Sequence, residues 1–401
     1  MFETASLVIE NGAVLHGRKV DVFRQKSGTE CGYRADQWDA FAVIHPEGEQ
    51  PGRSYPLVVS FHSGGDSLFQ NLADIQRAGP YEIYYPHLGA FMLSLDCREH
   101  EQTDWWWGGI NAKGEGDRSR SGTGLQPVEH RILRALDWVT ERFPIDCSRI
   151  YAVGNSMGGS GALGLALRRG DLFAAIKANV PAGVRHAADR CCLDTPAPEG
   201  FSVPDPPLVI DYSAQNDSWS AGHEVLYRGM RERKYQLFGF WGPFGHAYRD
   251  DQIRPVNDLI QSVDLFSFSR DEAYPVFTNA STDDRIPWPD ETDRTDAGQV
   301  NGFFRWNVLE DSETRFSVAL RLLSPEEWET RVSLPSESVA DLTLRRFQKF
   351  RLSAGQSFRY RYGDKTGTGT ASEDGRPEWT RIAVRRAPTV LTIEPAACGD
   401  R

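Results

Sequence analysis

Short apolar runs alternate with stretches of helical periodicity through the first two thirds of the chain. The runs at 41–44, 56–61 and 91–95 have the length of buried strands. Residues 127–143 then carry apolar side chains at the helical spacing, with Pro127 suited to a first turn. Further strand-like runs lie at 149–153, 173–180, 207–212 and 235–240, and a helix of small residues is expected over 160–169. This alternation predicts an α/β domain with a doubly wound, mostly parallel sheet.

The pattern changes near residue 270. Residues 282–297 are crowded with Asp, Pro and Thr, which is typical of a loop or linker. Beyond this segment, short runs with period-two alternation recur without a helical pattern and favour a β-sandwich-like domain of about seven strands. Because 401 residues exceed what one compact core usually holds, we predict an α/β domain at 1–270 and a β-rich accessory domain at 271–401.

Composition and charge narrow the classes of partner. Hydrophobic residues make up 40% of the chain and charged residues 25%, and no apolar stretch approaches the roughly 18 residues of a membrane span. The formal net charge of −11 argues against nucleic acid and against an anionic membrane as partners. The first residues show no basic and apolar leader pattern, so a cytoplasmic protein is expected, although a secreted chain whose leader had been removed would look the same. Assembly into a homo-oligomer stays open.

The cysteines give no sign of a metal centre. The chain has six, at positions 31, 97, 147, 191, 192 and 398, with no C-x-x-C spacing and no histidines at zinc-site intervals. We therefore predict no metal site. The adjacent pair Cys191 and Cys192 is the one place where a disulfide to a partner cysteine would be worth checking.

A Gly-x-Ser-x-Gly motif occupies 154–158, with Ser156 at its centre. It lies between the strand-like run that ends at Val153 and the small-residue helix, which is the strand–turn–helix context of a nucleophile elbow. So sharp a turn forces the serine into a strained backbone conformation, which leaves no space for side chains two residues before and after it. The motif therefore predicts Ser156 as the nucleophile of a serine hydrolase.

A serine hydroxyl becomes a good nucleophile when a histidine accepts its proton and an acid orients that histidine. In hydrolases with such an elbow, the chain order is serine, acid, histidine. Asp217 follows the strand-like run at 207–212 through a turn-rich segment, and His246 follows the run at 235–240 in a glycine turn. We predict Asp217 as the acid and His246 as the base. The competing acids are Asp211, which lies nearer the strand end and could be structural, and Asp194, which lies in an irregular insertion. The competing bases are His223, which follows Asp217 too closely, and His186, which precedes the acid.

Backbone N–H groups that could bind the oxyanion are expected at two places. The run 62–65 follows an early strand, and from it we predict Gly64 as a donor, with Ser63 as the alternative. The second predicted donor is Met157, the residue after the nucleophile, while His62 is expected only to bond neighbouring backbone. Trp107, Trp219 and Trp241 are predicted to bind substrate: Trp107 lies in a long loop that could form a lid or pocket wall, and Trp219 and Trp241 flank the predicted acid and base. Aromatic side chains in such places suit a sugar face or an aryl group. Simple packing of their loops is an equally weighted alternative.

Together these residues resemble the α/β-hydrolase superfamily, in its branch related to prolyl-oligopeptidase-like hydrolases, feruloyl and acetylxylan esterases and polyhydroxybutyrate depolymerases. The resemblance covers about residues 38–263 and makes 1–270 the expected catalytic domain. It implies acyl transfer through a covalent acyl-serine, without a metal or organic cofactor. The run His-Ser-Gly-Gly at 62–65 departs from the commoner His-Gly-Gly-Gly. The run at 340–350 is similar to a β-domain of bacterial hydrolases of this branch.

The sequence thus predicts a carboxylic ester hydrolase that acts on a small-molecule or saccharide ester, for example an acetyl or feruloyl ester. A serine peptidase of the prolyl-oligopeptidase-like type would share the triad, but the roughly 50 residues before the predicted sheet are too few for the N-terminal propeller of those peptidases. A non-enzymatic carbohydrate-binding protein, with the β-rich domain as binding module, is a third alternative. The complete Ser–Asp–His order argues against it.

Overall fold

The computed structural model describes residues 2–4, 14–15, 17–77, 83–84, 87–97, 105–106, 122–203, 205–246 and 250–396. The helices of this part are α1 (Leu68–Arg77), α2 (Pro127–Arg142), α3 (Met157–Ala166), α4 (Val184–Arg190), α5 (His223–Glu232) and α6 (Asp250–Gln261). The first strands are β1 (Phe2–Thr4), β2 (Val14–Leu15), β3 (Arg18–Ser27), β4 (Gln37–Ile44), β5 (Tyr55–Phe61), β6 (Phe91–Leu95), β7 (Ile145–Asn155), β8 (Ala175–Asn179), β9 (Leu208–Ala214) and β10 (Leu237–Gly242). They are followed by β11 (Tyr274–Thr278), β12 (Gly298–Val300), β13 (Phe304–Asp311), β14 (Phe316–Leu322), β15 (Glu337–Arg345), β16 (Ser357–Tyr362), β17 (Lys365–Thr370), β18 (Glu378–Arg385) and β19 (Thr389–Pro395).

One large sheet organises the N-terminal two thirds of the chain. Its strand order is β1-β3-β4-β6-β5-β7-β8-β9-β10-β12, and β2 pairs with β3 beside this path. The central strands β6, β5, β7, β8, β9 and β10 pair in parallel, whereas β1, β3, β4 and β12 pair antiparallel at the two sides. The predicted doubly wound, mostly parallel sheet is therefore confirmed.

Helices pack on both faces of this sheet, because successive residues of a strand point to opposite sides. β5 is buried at all of its positions, which is why it is a continuous apolar run in the sequence. Its Val58 joins the core cluster that contains Leu72 of α1 and Leu259 of α6. The adjacent Leu57 joins the cluster on the other face, which contains Ile132 of α2.

Several elements were missed by the sequence analysis, and β3 and α4 are two examples. β3 alternates buried and exposed positions, but some of its buried residues are polar. Arg18, for example, is buried and donates hydrogen bonds to the carbonyls of His45 and Ala90. The second example is α4, a helix of two turns. Each was missed because its apolar signal is short or interrupted.

The C-terminal strands form two antiparallel sheets, β11-β15-β18 and β13-β14-β19-β16-β17. Alternate residues of the two sheets share one core cluster, for example Val318 and Leu320 of β14 with Leu342 and Leu344 of β15. The predicted sandwich-like domain is thus confirmed, with eight strands in the described part rather than about seven.

The division of the chain at residue 270 stays a prediction. The strands after this residue do not all pair within the C-terminal sheets. β11 follows that position directly and joins the C-terminal sheets. β12 comes later in the chain, yet it pairs with β10 and extends the large sheet. The chain therefore crosses from one sheet system to the other and back between Tyr274 and Phe304.

Candidate active site

Ser156 occupies the turn between β7 and α3 with a positive φ of 56° and a ψ of −120°. Two backbone hydrogen bonds hold this conformation, which a non-glycine residue rarely adopts. The Ser156 N–H donates to the Asn179 carbonyl at 2.9 Å, and the Ala182 N–H donates to the Ser156 carbonyl at 2.9 Å. The turn after β8 thus holds the serine at the carboxyl end of the central strands.

The two glycines of the motif are required by close backbone approaches. A Cβ atom on Gly154 would collide with the carbonyl of Gly158, and a Cβ atom on Gly158 would collide with the carbonyl of Phe61 at the end of β5. Gly161 has no space for a Cβ either, because the ring of Trp106 lies against it. The glycines therefore let α3 begin close to the sheet.

The structure brings Ser156, His246 and Asp217 into one chain of hydrogen bonds. Ser156 Oγ lies 2.7 Å from His246 Nε2, and His246 Nδ1 lies 2.7 Å from Asp217 Oδ2. The second carboxylate oxygen of Asp217 accepts the backbone N–H of Trp219 at 2.9 Å. Asp217 is buried, whereas the His246 side chain is about one third exposed, at 35%. This is the arrangement in which a histidine can take the proton of the serine while a buried acid orients it.

The competing acids have structural partners instead. Asp211 lies inside β9, where it accepts a hydrogen bond from the Tyr227 hydroxyl at 2.9 Å, and burial raises its pKa to about 7. Asp194 forms an ion pair with Arg185 at 3.0 Å. Neither contacts the His246 ring among the described hydrogen bonds and ion pairs.

The competing histidines are also buried in the fold. His223, at the start of α5, bonds to the Ser213 hydroxyl and the Ser220 carbonyl, both at 2.6 Å, and burial lowers its pKa to about 4. His186 is buried in α4. His62 bonds the Ser63 carbonyl through Nδ1 at 2.8 Å and accepts the backbone N–H of Cys97 through Nε2 at 3.1 Å. These contacts are the backbone role expected of His62.

Asn216 connects the acid turn to the histidine turn, and sequence reasoning missed it. Its Oδ1 accepts the N–H of Gly245 at 2.8 Å, and its Nδ2 donates to the carbonyl of Pro243 at 3.2 Å. Both partners lie just before His246, and Gly245 has a positive φ of 68°. The side chain therefore fixes the loop that carries the base. An asparagine beside the predicted acid was the only available signal, and asparagine is common in turns.

The two predicted oxyanion donors belong to the residue after the nucleophile and to the loop after β5. Met157 is the first residue of α3, so its N–H has no acceptor within the helix and lies at the positive end of the helix dipole. Gly64 follows β5 in an exposed loop. That loop is tied to the elbow by Ser63, whose hydroxyl accepts from Asn155 Nδ2 at 2.9 Å and donates to the Asn155 carbonyl at 3.2 Å. Asn155 was not singled out from the sequence.

The three predicted substrate-binding tryptophans have different outcomes. Trp219 is half-buried, and its ring centroid lies 6.1 Å from that of His246 and 6.4 Å from that of Trp105. Trp241 is only 1% exposed and packs edge-to-face against Tyr227 and Trp288. This position corrects the prediction for Trp241, which belongs to the core of the large sheet. Trp107 lies outside the described residues.

Two further observations concern the charged and sulfur-containing side chains of the described ranges. No group of three or more His, Cys, Asp or Glu residues in these ranges is arranged to hold a metal ion. Cys191 and Cys192 are free thiols, as are the other cysteines in the described ranges. Among the helices of the described chain, none has the length and apolar character needed to cross a bilayer.

Comparison with known proteins gives one family match and several structural likenesses. The sequence profile of the Esterase family matches residues 37–236. No curated protein matches the chain. An S-formylglutathione hydrolase from Agrobacterium tumefaciens is similar at 20% identity, over 60% of this chain and 92% of that chain, with a TM-score of 0.42. An acetyl xylan esterase from Paenibacillus sp. R4 is similar at 15% identity, over 63% of this chain and 84% of that chain, with a TM-score of 0.40.

A chain from Bacteroides ovatus described as a dipeptidyl aminopeptidase IV is similar at 16% identity, with a TM-score of 0.40. The match covers 62% of this chain but only 35% of that longer chain. The family match is more informative, because its range begins with β4, ends just before β10 and contains both Ser156 and Asp217. Through this segment, the chain belongs to the Esterase family and has the α/β-hydrolase fold.

Proposed function

We propose that this protein is a serine hydrolase that cleaves carboxylic esters through an acyl-serine intermediate, with Ser156, His246 and Asp217 as its catalytic triad. The observation that carries the proposal is the unbroken path of two 2.7 Å hydrogen bonds from the serine hydroxyl through the imidazole to the buried carboxylate. The family match at 37–236 supports the same chemistry.

The reaction follows from this geometry. His246 Nε2 accepts the proton of Ser156 as the serine oxygen attacks the ester carbonyl carbon, and the carbonyl oxygen gains the negative charge. The N–H groups of Met157 and Gly64 bind that oxyanion. His246 then gives the proton to the leaving alcohol as the carbon–oxygen bond breaks, which leaves an acyl-serine. A water molecule repeats both steps on the acyl-serine and releases the acid, while Asp217 stabilises the charged imidazole in each half-reaction.

We further propose that the alcohol or acyl part of the substrate carries a ring, as in esters of sugars or of aryl acids. The support is the position of Trp219, whose half-buried ring lies 6.1 Å from that of His246 and 6.4 Å from that of the buried Trp105. Aromatic side chains of this kind pack well against a sugar face or an aryl group.

The decisive test compares two serines that differ by four positions. We expect Ser156→Ala to lower kcat for p-nitrophenyl acetate by about 10⁴-fold, because removal of one triad member generally disables the whole unit. Ser160→Ala is the matched control: this serine is buried in α3, and its hydroxyl has no hydrogen-bond partner among the described residues. Retention of most activity by the Ser156 variant would overturn the assignment.

The class of bond is tested separately with the unmodified enzyme. A panel of acetylated sugars, feruloyl esters and short-chain p-nitrophenyl esters is assayed beside proline-containing peptides. We expect ester hydrolysis to exceed peptide hydrolysis by orders of magnitude. A peptide cleaved as fast as the best ester would instead identify the protein as a serine peptidase.

A further inference from the structure

The outer face of the sheet β13-β14-β19-β16-β17 contains a shallow cavity of about 520 Å³ that the proposed esterase reaction does not use. We name it the basic trough. It is lined chiefly by Arg315, Arg359, Arg361, Thr368, Thr392 and Glu394. A cavity of this volume is within the range of small-molecule binding sites.

The strand register explains how these side chains come together. Thr392 of β19 pairs with Arg361 of β16, which pairs with Thr366 of β17. In the same way, Glu394 pairs with Arg359, which pairs with Thr368. Residues two apart on a strand share a face, and neighbouring strands lie about 4.8 Å apart. The trough is therefore a regular grid of guanidinium and hydroxyl groups on a rigid sheet.

Guanidinium groups outnumber carboxylates among the described residues of this grid. Arg359 lies 3.7 Å from Glu394, and Arg315 lies 3.9 Å from the same carboxylate. Arg315 also lies 3.5 Å from Glu310 at the border of the trough. The exposed side chain of Arg361 has no ion pair or hydrogen bond among the described residues. Among the described residues, the carboxylates of Glu310 and Glu394 face three guanidinium groups here, on a chain whose formal net charge is −11.

A second observation also points to a ligand. Thr392 is 6% exposed, and its hydroxyl has no hydrogen-bond partner within the described structure. A buried hydroxyl without a partner is unfavourable, because it has lost its contacts with water and gained none. Thr392 lines the trough, and because its hydroxyl is itself buried, a bound polar group supplies the missing hydrogen bond only if the side chain turns toward it.

We propose that the basic trough binds an acidic oligosaccharide, that is, a sugar chain whose residues carry carboxylate groups. Guanidinium groups bind carboxylates through paired, charge-assisted hydrogen bonds, and threonine hydroxyls bind the hydroxyl groups between them. A densely charged phosphate polymer fits less well, because Glu394 lies within the grid and the whole chain is acidic. The proposal goes beyond ester hydrolysis and does not depend on it.

The test is a calorimetric titration of the full-length protein with oligogalacturonate, which carries carboxylates but no esters and therefore is not an ester substrate. Neutral xylo-oligosaccharide and inorganic polyphosphate are the comparison ligands. We expect Arg361→Ala to weaken binding of oligogalacturonate about tenfold or more, the usual effect of losing a hydrogen bond to a charged group. Thr392→Val should also weaken binding, and the neutral sugar should bind much less tightly than the acidic one.

Arg53→Ala is the matched control, because Arg53 is an exposed arginine near the start of β5, in a different sheet. Thermal midpoints of all variants verify folding without an activity assay. The binding test can therefore fail or succeed independently of whether the protein hydrolyses esters. Equal affinity in the Arg361 and Arg53 variants would overturn the proposal. Binding of neutral sugar as tight as that of the acidic sugar would also overturn it, as would tighter binding of polyphosphate.

Discussion

The buried carboxylate of Glu129 provides a sharp test of how the helices around the nucleophile are held together. Glu129 of α2 is fully buried. Its Oε1 accepts a hydrogen bond from Arg168 at 2.7 Å, and its Oε2 accepts from Arg190 and from the backbone N–H of Gln126. One negative charge therefore serves two buried guanidinium groups, one just after α3 and one at the end of α4.

We expect Glu129→Gln to destabilise the protein by about 3 kcal/mol. Breaking a buried ion pair by removing one partner generally costs about 3–5 kcal/mol. The lower value applies here, because Arg168 also donates to the carbonyl of Thr123 at 2.6 Å and Arg190 to that of Gly122 at 3.0 Å. Both guanidinium groups thus keep acceptors after the substitution, but they lose their only counter-charge among the described partners.

The measurement is the thermal unfolding midpoint, followed by tryptophan fluorescence. At about 2 °C per kcal/mol for a large domain, the expected decrease is about 6 °C. Glu141→Gln on the same helix is the control: its side chain is 73% exposed and lies 3.4 Å from Arg142. Exposed pairs contribute little, so this variant should stay within about 1 °C of wild type. If the Glu129 and Glu141 variants have the same thermal unfolding midpoint, the buried ion pairs of Glu129 do not stabilise the fold as argued.

Three further predictions concern side chains of other regions. Iodoacetamide at pH 8 should label the exposed Cys147 and leave Cys191 unmodified until the protein unfolds, because burial raises the pKa of the Cys191 thiol to about 12. Peptide mass spectrometry measures the labelling, and modification of Cys191 in the folded protein would contradict this expectation. Burial also raises the pKa of Asp283 to about 7, so the folded state binds more protons than the unfolded state between about pH 4 and pH 7, and stability falls as pH rises. The thermal midpoint of Asp283→Asn minus that of wild type should therefore increase from pH 5 to pH 8. A difference that stays constant would show that protonation of Asp283 is not coupled to stability. The indole N–H of Trp288 donates a hydrogen bond to the Ser220 hydroxyl, which in turn donates to the Asp217 carbonyl. Because Trp288→Phe removes the first of these donors, we expect kcat to fall about 2–10-fold with KM little changed. An unaltered kcat would show that this contact does not support the acid turn.

The prediction for Trp288 illustrates how a segment after residue 270 reaches the proposed active site. The loop between β11 and β12 holds the acid turn at a second point, where Gln215 Nε2 donates to the carbonyls of Arg294 and Asp296, both at 2.9 Å. The sequence showed this loop only as a polar linker. The contacts of this loop depend on the pairing of β12 with β10 in the large sheet, and no local sequence pattern predicts that pairing.

Much of the site could be predicted because its signals are local. The positive φ of Ser156 requires small residues at 154 and 158, and these appear in the sequence as glycines. The strands on both sides are buried on two faces, so they stand out as apolar runs. Asp217 and His246 follow such runs, and their order along the chain limits the candidates. The fold class and the three triad candidates could therefore be predicted from local patterns and their order along the chain.

The roles of other residues were decided only by tertiary structure. Asp211 and Asp217 are six positions apart, near the end of the strand-like run at 207–212. The sequence favoured Asp217 as the acid without excluding Asp211. The pairing of β9 places Asp211 inside the sheet beside Tyr227, whereas the turn after it brings Asp217 to His246. Trp241 resembled a substrate contact until its ring was found packed in the core. Sequence determines which strands, turns and reactive groups exist, because these depend on neighbouring residues. Which groups meet depends on packing between residues far apart in the chain, and only the folded structure fixes that.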